Sequence, residues 1–287
     1  MIAQLVFSFI NILHANQLSY LKESYYGIDI NEFDGAYLDS IIPNIYNFNF
    51  AERPNDSTSL EMAYYYYWKG LSGDHQLENL EKSLSILSHF TAKNTTQNLA
   101  ARFLEFRVLV TQEKKVSAVL TIKNLKTLFI NTENDSLNPI ITLYWGVFHY
   151  FVGYARQNYP ILKFSLLGWP EANMEKGIQM LEQLSLCQSS FLRTESSYFL
   201  CRIYSEFENK PTNAIDKIRP LTSEYERNTI FSSMYLNLLK NANQPNLYHK
   251  NYAYFSNLVE QGNYTMEQKN RFYKNLESGY EVPITSQ

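Results

Sequence analysis

Glycine and proline are scarce in this 287-residue chain, at Gly 10 and Pro 9. Glycine stands at about half its usual share of roughly 7%. That scarcity argues against a turn-rich sandwich, a β-barrel or an enzyme built on a glycine-rich nucleotide loop. Cysteine is nearly absent. Cys187 and Cys201 form neither C-x-x-C nor any metal spacing, and their apolar helical surroundings predict buried, reduced thiols. No excess of one charge sign exists: Lys+Arg 25 against Asp+Glu 28 gives a net charge of -3. Such a balance, with the signs interspersed, provides no basic stripe for nucleic acid. No run approaches the roughly 20 apolar residues of a membrane span.

Aromatic and apolar side chains are plentiful. Aromatics make up 15% and apolar residues 45% of the chain, enough to fill a large core and to exclude disorder. The first fifteen residues, MIAQLVFSFINILHA, are apolar and uncharged, and the first basic residue is Lys22. They read either as a secretory signal ending at Ala15, without the usual positive start, or as an amphipathic first helix. Residues 16–287 read as one helical domain. Four N-x-S/T sites, at Asn55, Asn94, Asn134 and Asn263, are expected by chance in so asparagine-rich a chain.

The dominant period is helical. Leu77, Leu80, Leu84 and Leu87 form one stripe. Val116, Val119, Leu120, Leu125, Leu128 and Phe129 form most of a second, and Ile178, Leu181, Leu184 and Leu186 a third. Start signals agree with this period: capping boxes at Thr58–Glu61 and Thr265–Gln268, caps at Asp74 and Asn173, and Asn138-Pro139 and Lys210-Pro211 as openings. The pattern predicts helices at 17–28, 31–46, 58–72, 75–91, 95–112, 114–130, 138–155, 173–187, 190–208, 211–225, 228–241, 246–261 and 265–278. Most links are short, so neighbours are expected to pack as antiparallel hairpins, giving an all-α fold. Two longer links run from Phe48 to Ser57 and from Gln157 to Ala172. The 138–155 helix is apolar nearly all round, so it should be central. Gly146 and Gly153 lie on one of its faces, where a neighbouring backbone could come close.

A search for a repeat finds its best unit at 193–228. There Leu200, Cys201 and Tyr204 stand where a tetratricopeptide repeat has L-G-x-x-Y, and Ala214 and Ile218 follow one residue late. The segment resembles a tetratricopeptide repeat with Ser197 at the tryptophan position and one residue inserted near Lys210-Pro211. Weaker units cover 21–43 and 62–90. The run from Gly168-Trp169-Pro170 to Met180-Leu181-Glu182-Gln183, followed by Arg193-Thr194-Glu195, looks like bacterial tetratricopeptide-like envelope proteins. This resemblance implies antiparallel hairpins stacked as a right-handed superhelix, an exported scaffold and a protein or peptide partner. It implies no catalytic residue and no cofactor.

Two aromatic clusters stand out. In Tyr64-Tyr65-Tyr66-Tyr67-Trp68 the side chains point around most of a helix. Tyr64, Tyr67 and Trp68 are expected inward, leaving Tyr65 and Tyr66 as a candidate ligand face. The apolar link contributes Tyr159, Phe164, Leu167 and Trp169, read either as a cover for the stack or as a contact patch. The histidines, His149 included, show no ligand spacing, so no metal site is expected. Glu206 and Arg202 read as a solvated i,i+4 pair. The resulting expectation is a non-enzymatic interaction scaffold of the periplasm or cell envelope. An aromatic-rich carbohydrate binder and a cytoplasmic helical adaptor are the alternatives.

Overall fold

Asparagine and serine caps divide the chain into hairpins. In the computed structural model, residues 56–71, 76–92, 94–132, 138–159, 166–226, 228–261 and 266–277 are described. Every regular element among them is helical: α1 (Asp56–Leu71), α2 (Gln76–His89), α3 (Thr95–Thr111), α4 (Lys115–Thr132), α5 (Pro139–Asn158), α6 (Met174–Leu184), α7 (Ser190–Arg202), α8 (Pro211–Glu224), α9 (Thr229–Asn241), α10 (Pro245–Gln261) and α11 (Met266–Glu277). The all-α expectation holds. The predicted helices at 17–28 and 31–46, the first fifteen residues, the 21–43 unit and the caps Asp74 and Thr265 lie outside the described residues.

The helices α3, α5, α7 and α9 each start on a side-chain cap. Asn94 accepts from the Gln97 N–H, Asn138 from the Ile140 and Ile141 N–H groups, Ser189 from Leu192 and Asn228 from Ile230 and Phe231. Each such cap supplies an acceptor to N–H groups that the helix leaves unpaired, worth about 1 kcal/mol. Asn173 caps α6 in the same way, as expected. Thr58 lies within α1, which begins at Asp56, and so does not stand at the N-cap position expected of it.

The second helices α8 and α10 instead open on Pro211 and Pro245, directly after a tight turn. Three of these turns share one geometry. Glu113, Asn209 and Asn243 hold φ of 59°, 50° and 52°. After α3, the Lys114 N–H donates to the Leu109 carbonyl; after α9, Gln244 donates to Leu239, both at 2.9 Å. That is the Schellman closure of a helix end. After α7 the corresponding bond runs from Lys210 back to Tyr204, one residue further, at 2.7 Å. The extra residue sits in a π-helical turn, Ile203–Phe207, continuous with α7. Relative to the α9–α10 hairpin, the surplus therefore lies inside the first helix, before the turn.

Consecutive helices pack on one another from α5 on to α10, and α3 also packs on α5 and α5 on α7. Burial separates two classes. α9 is buried from Thr229 through Leu239 and α5 over most of its length, whereas α10 buries only Phe255 and Val259 fully. One continuous apolar core runs from α1 to α9, and a smaller one joins Leu236 to α10 and α11 through Phe255, Val259, Phe272 and Leu276. The α5–α6 pair crosses closely. A Cβ on Gly177 would stand 2.6 Å from the Tyr150 nitrogen and 2.7 Å from the Gly146 carbonyl oxygen, so only glycine fits there. Gly153 lies against Met174 and Asn173 in the same seam. The two glycines singled out in α5 therefore serve helix packing.

Candidate functional site

The tyrosine run of α1 is the hub of the core. The Tyr64 hydroxyl meets the Tyr144 hydroxyl of α5 at 2.8 Å, and its ring stands edge-on to Phe191 of α7. Trp68 meets Tyr198 of α7 and Phe231 of α9 edge-on. One helix thus touches three others through successive turns, because four adjacent tyrosines and a tryptophan cover its circumference. Tyr65 is buried as well, at 8% exposure, and only Tyr66 stays partly open, with Lys82 of α2 over its ring. The face expected to present Tyr65 outward is therefore covered.

At this hub lies a buried charge pair. Arg107 of α3 donates to the Glu195 carboxylate of α7 at 2.8 Å, with side-chain exposures of 9% and 4%. The rings of Tyr67, Phe199 and Trp68 surround its guanidinium at 4.8, 5.2 and 5.8 Å. A desolvated cation needs such a carboxylate and gains further from ring faces. Although burial disfavours the cation, Glu195 holds the Arg107 pKa well above its ordinary value. Burial, then the Glu195 charge, pushes Tyr64 up, and burial pushes Tyr144 up. The two hydroxyls stay neutral and the Arg107 guanidinium stays charged.

Arg202 and Glu206 are not solvated. They form a bidentate pair at 2.7 and 2.8 Å with exposures of 5% and 2%. The α7 end is covered where the π turn begins, so this i,i+4 pair lies inside. Burial raises the Glu206 pKa against the pull of Arg202. Cys201 is buried, and burial raises its thiol pKa, which leaves it inert; Cys187 is half-buried and equally free of any disulfide. His149 is buried and accepts the Asn173 N–H through Nδ1 at 3.3 Å. Burial, then Lys176, lowers its pKa to about 4, so it is neutral at pH 7.

The end of the long α5–α6 link is pinned in place. Nη2 of Arg156 donates to the carbonyls of Leu166, Trp169 and Pro170 at 3.3, 3.4 and 3.1 Å. Nζ of Lys126, on α4, donates to the Leu167 carbonyl at 3.1 Å, and Gly168 turns the chain at φ 73°. Trp169 stacks on Phe148 at 5.8 Å, and Tyr159 leans on Tyr154. Both are half-buried, whereas Leu167 stands 69% exposed. Phe164 lies outside the described residues. Among the described ring contacts, none joins Tyr65 or Tyr66 to this loop.

Beside Leu167, α4 presents a face that includes Val116 and Leu120, which the sequence period assigned to a buried stripe. Val116, Leu120 and Ile130 are 72%, 56% and 48% exposed. At 100° per residue, Val116, Leu120, Lys123, Thr127 and Ile130 fall within an arc of about 80°. The helix carries Lys115, Lys123 and Lys126 and no acidic residue. The face is aliphatic and basic.

Among the described residues, no group of His, Cys, Asp or Glu is placed to hold a metal, and no helix is long and apolar enough to cross a membrane. No protein-family model matches the chain, and no curated protein or solved structure matches it.

Proposed function

We propose that this protein is a non-enzymatic helical-hairpin scaffold of the tetratricopeptide-like kind, stacked as a right-handed superhelix, and that it docks a protein partner through the α4 face and Leu167. The observation that carries this reading is the exposed aliphatic and basic strip on α4, continued by Leu167 on its pinned loop. Exposed aliphatic side chains sharing a helix face with charge of one sign favour contact with a partner. Its chemistry suits an amphipathic helix with acidic flanks. The superhelix is supported by the recurring turn: Asn209 and Asn243 stand 34 residues apart, which is the tetratricopeptide period. Docking through the α1 tyrosines is disfavoured, since all of these but Tyr66 are buried.

A photo-activated cross-linker at position 120, in the expressed full chain, tests the reading. It is expected to trap one protein species, with trapping lost in a Leu120→Asp, Leu167→Asp variant that melts like the parent. Random trapping, or trapping indifferent to those charges, overturns the docking surface. The envelope placement rests on the first fifteen residues. The mass of the mature protein tests it, with cleavage after Ala15 expected and an intact Met1 against it.

A further inference from the structure

A separate cleft lies between the end of α8, the middle of α9 and α10, and encloses about 240 Å³. Thr222, Ser223 and Glu226 form one wall, Ser232 and Tyr235 the floor, and Asn251 and Tyr254 the other wall. Five of these seven residues carry a hydroxyl, and none carries a positive charge.

The hydrogen bonds leave the polar groups open toward the cleft. Thr222 and Ser223 each donate to the Arg219 carbonyl, at 2.8 and 3.3 Å, which leaves their lone pairs to accept. Asn251 donates to the Leu247 carbonyl at 2.8 Å, which leaves its Oδ1. Tyr254 braces the mouth by donating to the Glu226 carbonyl at 3.0 Å, and the residue is 48% exposed. The floor is the decisive part. Ser232 and Tyr235 are only 7% and 6% exposed, and among the described residues neither side-chain hydroxyl is hydrogen-bonded. Their side chains are packed, but their hydroxyls are not sealed off as the unpaired Asn237 Oδ1 is; they open on the cleft and can bond to something that enters it.

We infer that this cleft binds a single neutral sugar ring, free or at the end of a glycan, independently of any docking at α4. Size supports one ring, since drug-sized ligands occupy pockets from roughly 300 Å³ upward. Among the described lining residues Glu226 is the one charged group and there is no cation, which favours a neutral ligand over phosphate or a carboxylate. Sugar hydroxyls both donate and accept, which matches a wall of serine, threonine, amide and carboxylate groups. The partly exposed Tyr254 ring offers an apolar face for the C–H side of a pyranose.

Ligand-observed saturation-transfer NMR on the full chain tests this, with methyl glucoside, methyl galactoside and N-acetylglucosamine as probes. Choline and inorganic phosphate serve as charged controls. At least one sugar is expected to receive saturation, with a Kd in the millimolar range and neither control responding. Tyr254→Ala and Asn251→Ala should each weaken it about tenfold, Tyr254→Phe should retain it, and Leu167→Asp should leave it unchanged. Should Tyr254→Ala lose its helical circular dichroism, Asn251→Ala decides alone, since that side chain is surface-placed. No sugar response at tens of millimolar, a response to choline or phosphate alone, or full binding in Asn251→Ala overturns the assignment.

Discussion

The α7–α8 and α9–α10 hairpins share a turn but not an interior. Both start on a side-chain cap, both turn through an asparagine at positive φ, and both continue into a proline-led helix. Inside, α9 buries neutral polar groups, Ser233 and Asn237 among them, and is α-helical throughout. α7 buries Glu195 and Arg202, each paired, and ends in a π turn. The outer geometry of a hairpin is thus set by its ends, while the interior is free to differ as long as every charge has its partner. Buried pairs of this sort rarely add net stability, yet removing one member leaves a desolvated charge behind.

The largest expected effect follows from that asymmetry. Glu195→Ala strands the Arg107 cation among three rings and should cost about 3–5 kcal/mol in urea unfolding. Asn237→Ala in α9 removes a group whose Oδ1 has no partner, and should cost about 1 kcal/mol or less. Replacing both charges, Arg107→Met with Glu195→Leu, should recover most of the loss. Equal costs for Glu195→Ala and Asn237→Ala would break the comparison.

A third hairpin sharpens it. α5 and α6 are joined by a long link instead of a short turn, and their seam is set by glycines. Gly177→Ala forces a methyl onto the Tyr150 and Gly146 backbones, so α5 and α6 must part. Overpacking of this kind costs about 1–3 kcal/mol, and thermal denaturation should register it. Unchanged melting would mean that the seam does not hold this hairpin.

Beside the same seam, His149 gives a pH-dependent readout. Its folded pKa of about 4 lies below the ordinary 6.5, so between those values the unfolded chain binds more protons. Stability from this group is complete above pH 6.5 and falls as the pH drops toward 4. Melting temperature against pH should therefore be steeper for the parent than for His149→Gln over that window, and parallel above it. Glu206, raised by burial, acts in the opposite sense near its own titration, which is why the difference between parent and variant is the quantity to follow.

Local rules made most helices legible, and the described ones begin and end close to where period and caps put them. The predicted 211–225 and 228–241, for example, are found as Pro211–Glu224 and Thr229–Asn241. What local rules could not reach is pairing across the chain. Nothing around Arg107 announces Glu195, 88 residues away, and a solvated reading of Arg202–Glu206 was natural for an i,i+4 spacing. Val116 and Leu120 followed the apolar period of α4 yet face outward, because periodicity finds a stripe and not its cover. Of the residues singled out as a contact face, Leu167 is exposed and Tyr65 is buried, because the burial of a tyrosine depends on how many helices surround it.

The smallest effect tests the turn itself. Non-glycine residues at positive φ cost roughly 1 kcal/mol, and asparagine bears that cost better than most because its short side chain bonds locally. Asn209→Ala and Asn243→Ala should therefore each lose about 1 kcal/mol. If the π turn absorbs the surplus residue of α7 completely, Asn209 sits in the same unstrained closure as Asn243, and the two losses should agree within a few tenths. The bond from Lys210 to Tyr204, one residue longer than its counterpart from Gln244 to Leu239, is where leftover strain would show. A loss at Asn209 exceeding that at Asn243 by about 1 kcal/mol would mean that the insertion is shared between helix and turn, and that the hairpins differ at their ends as well as inside.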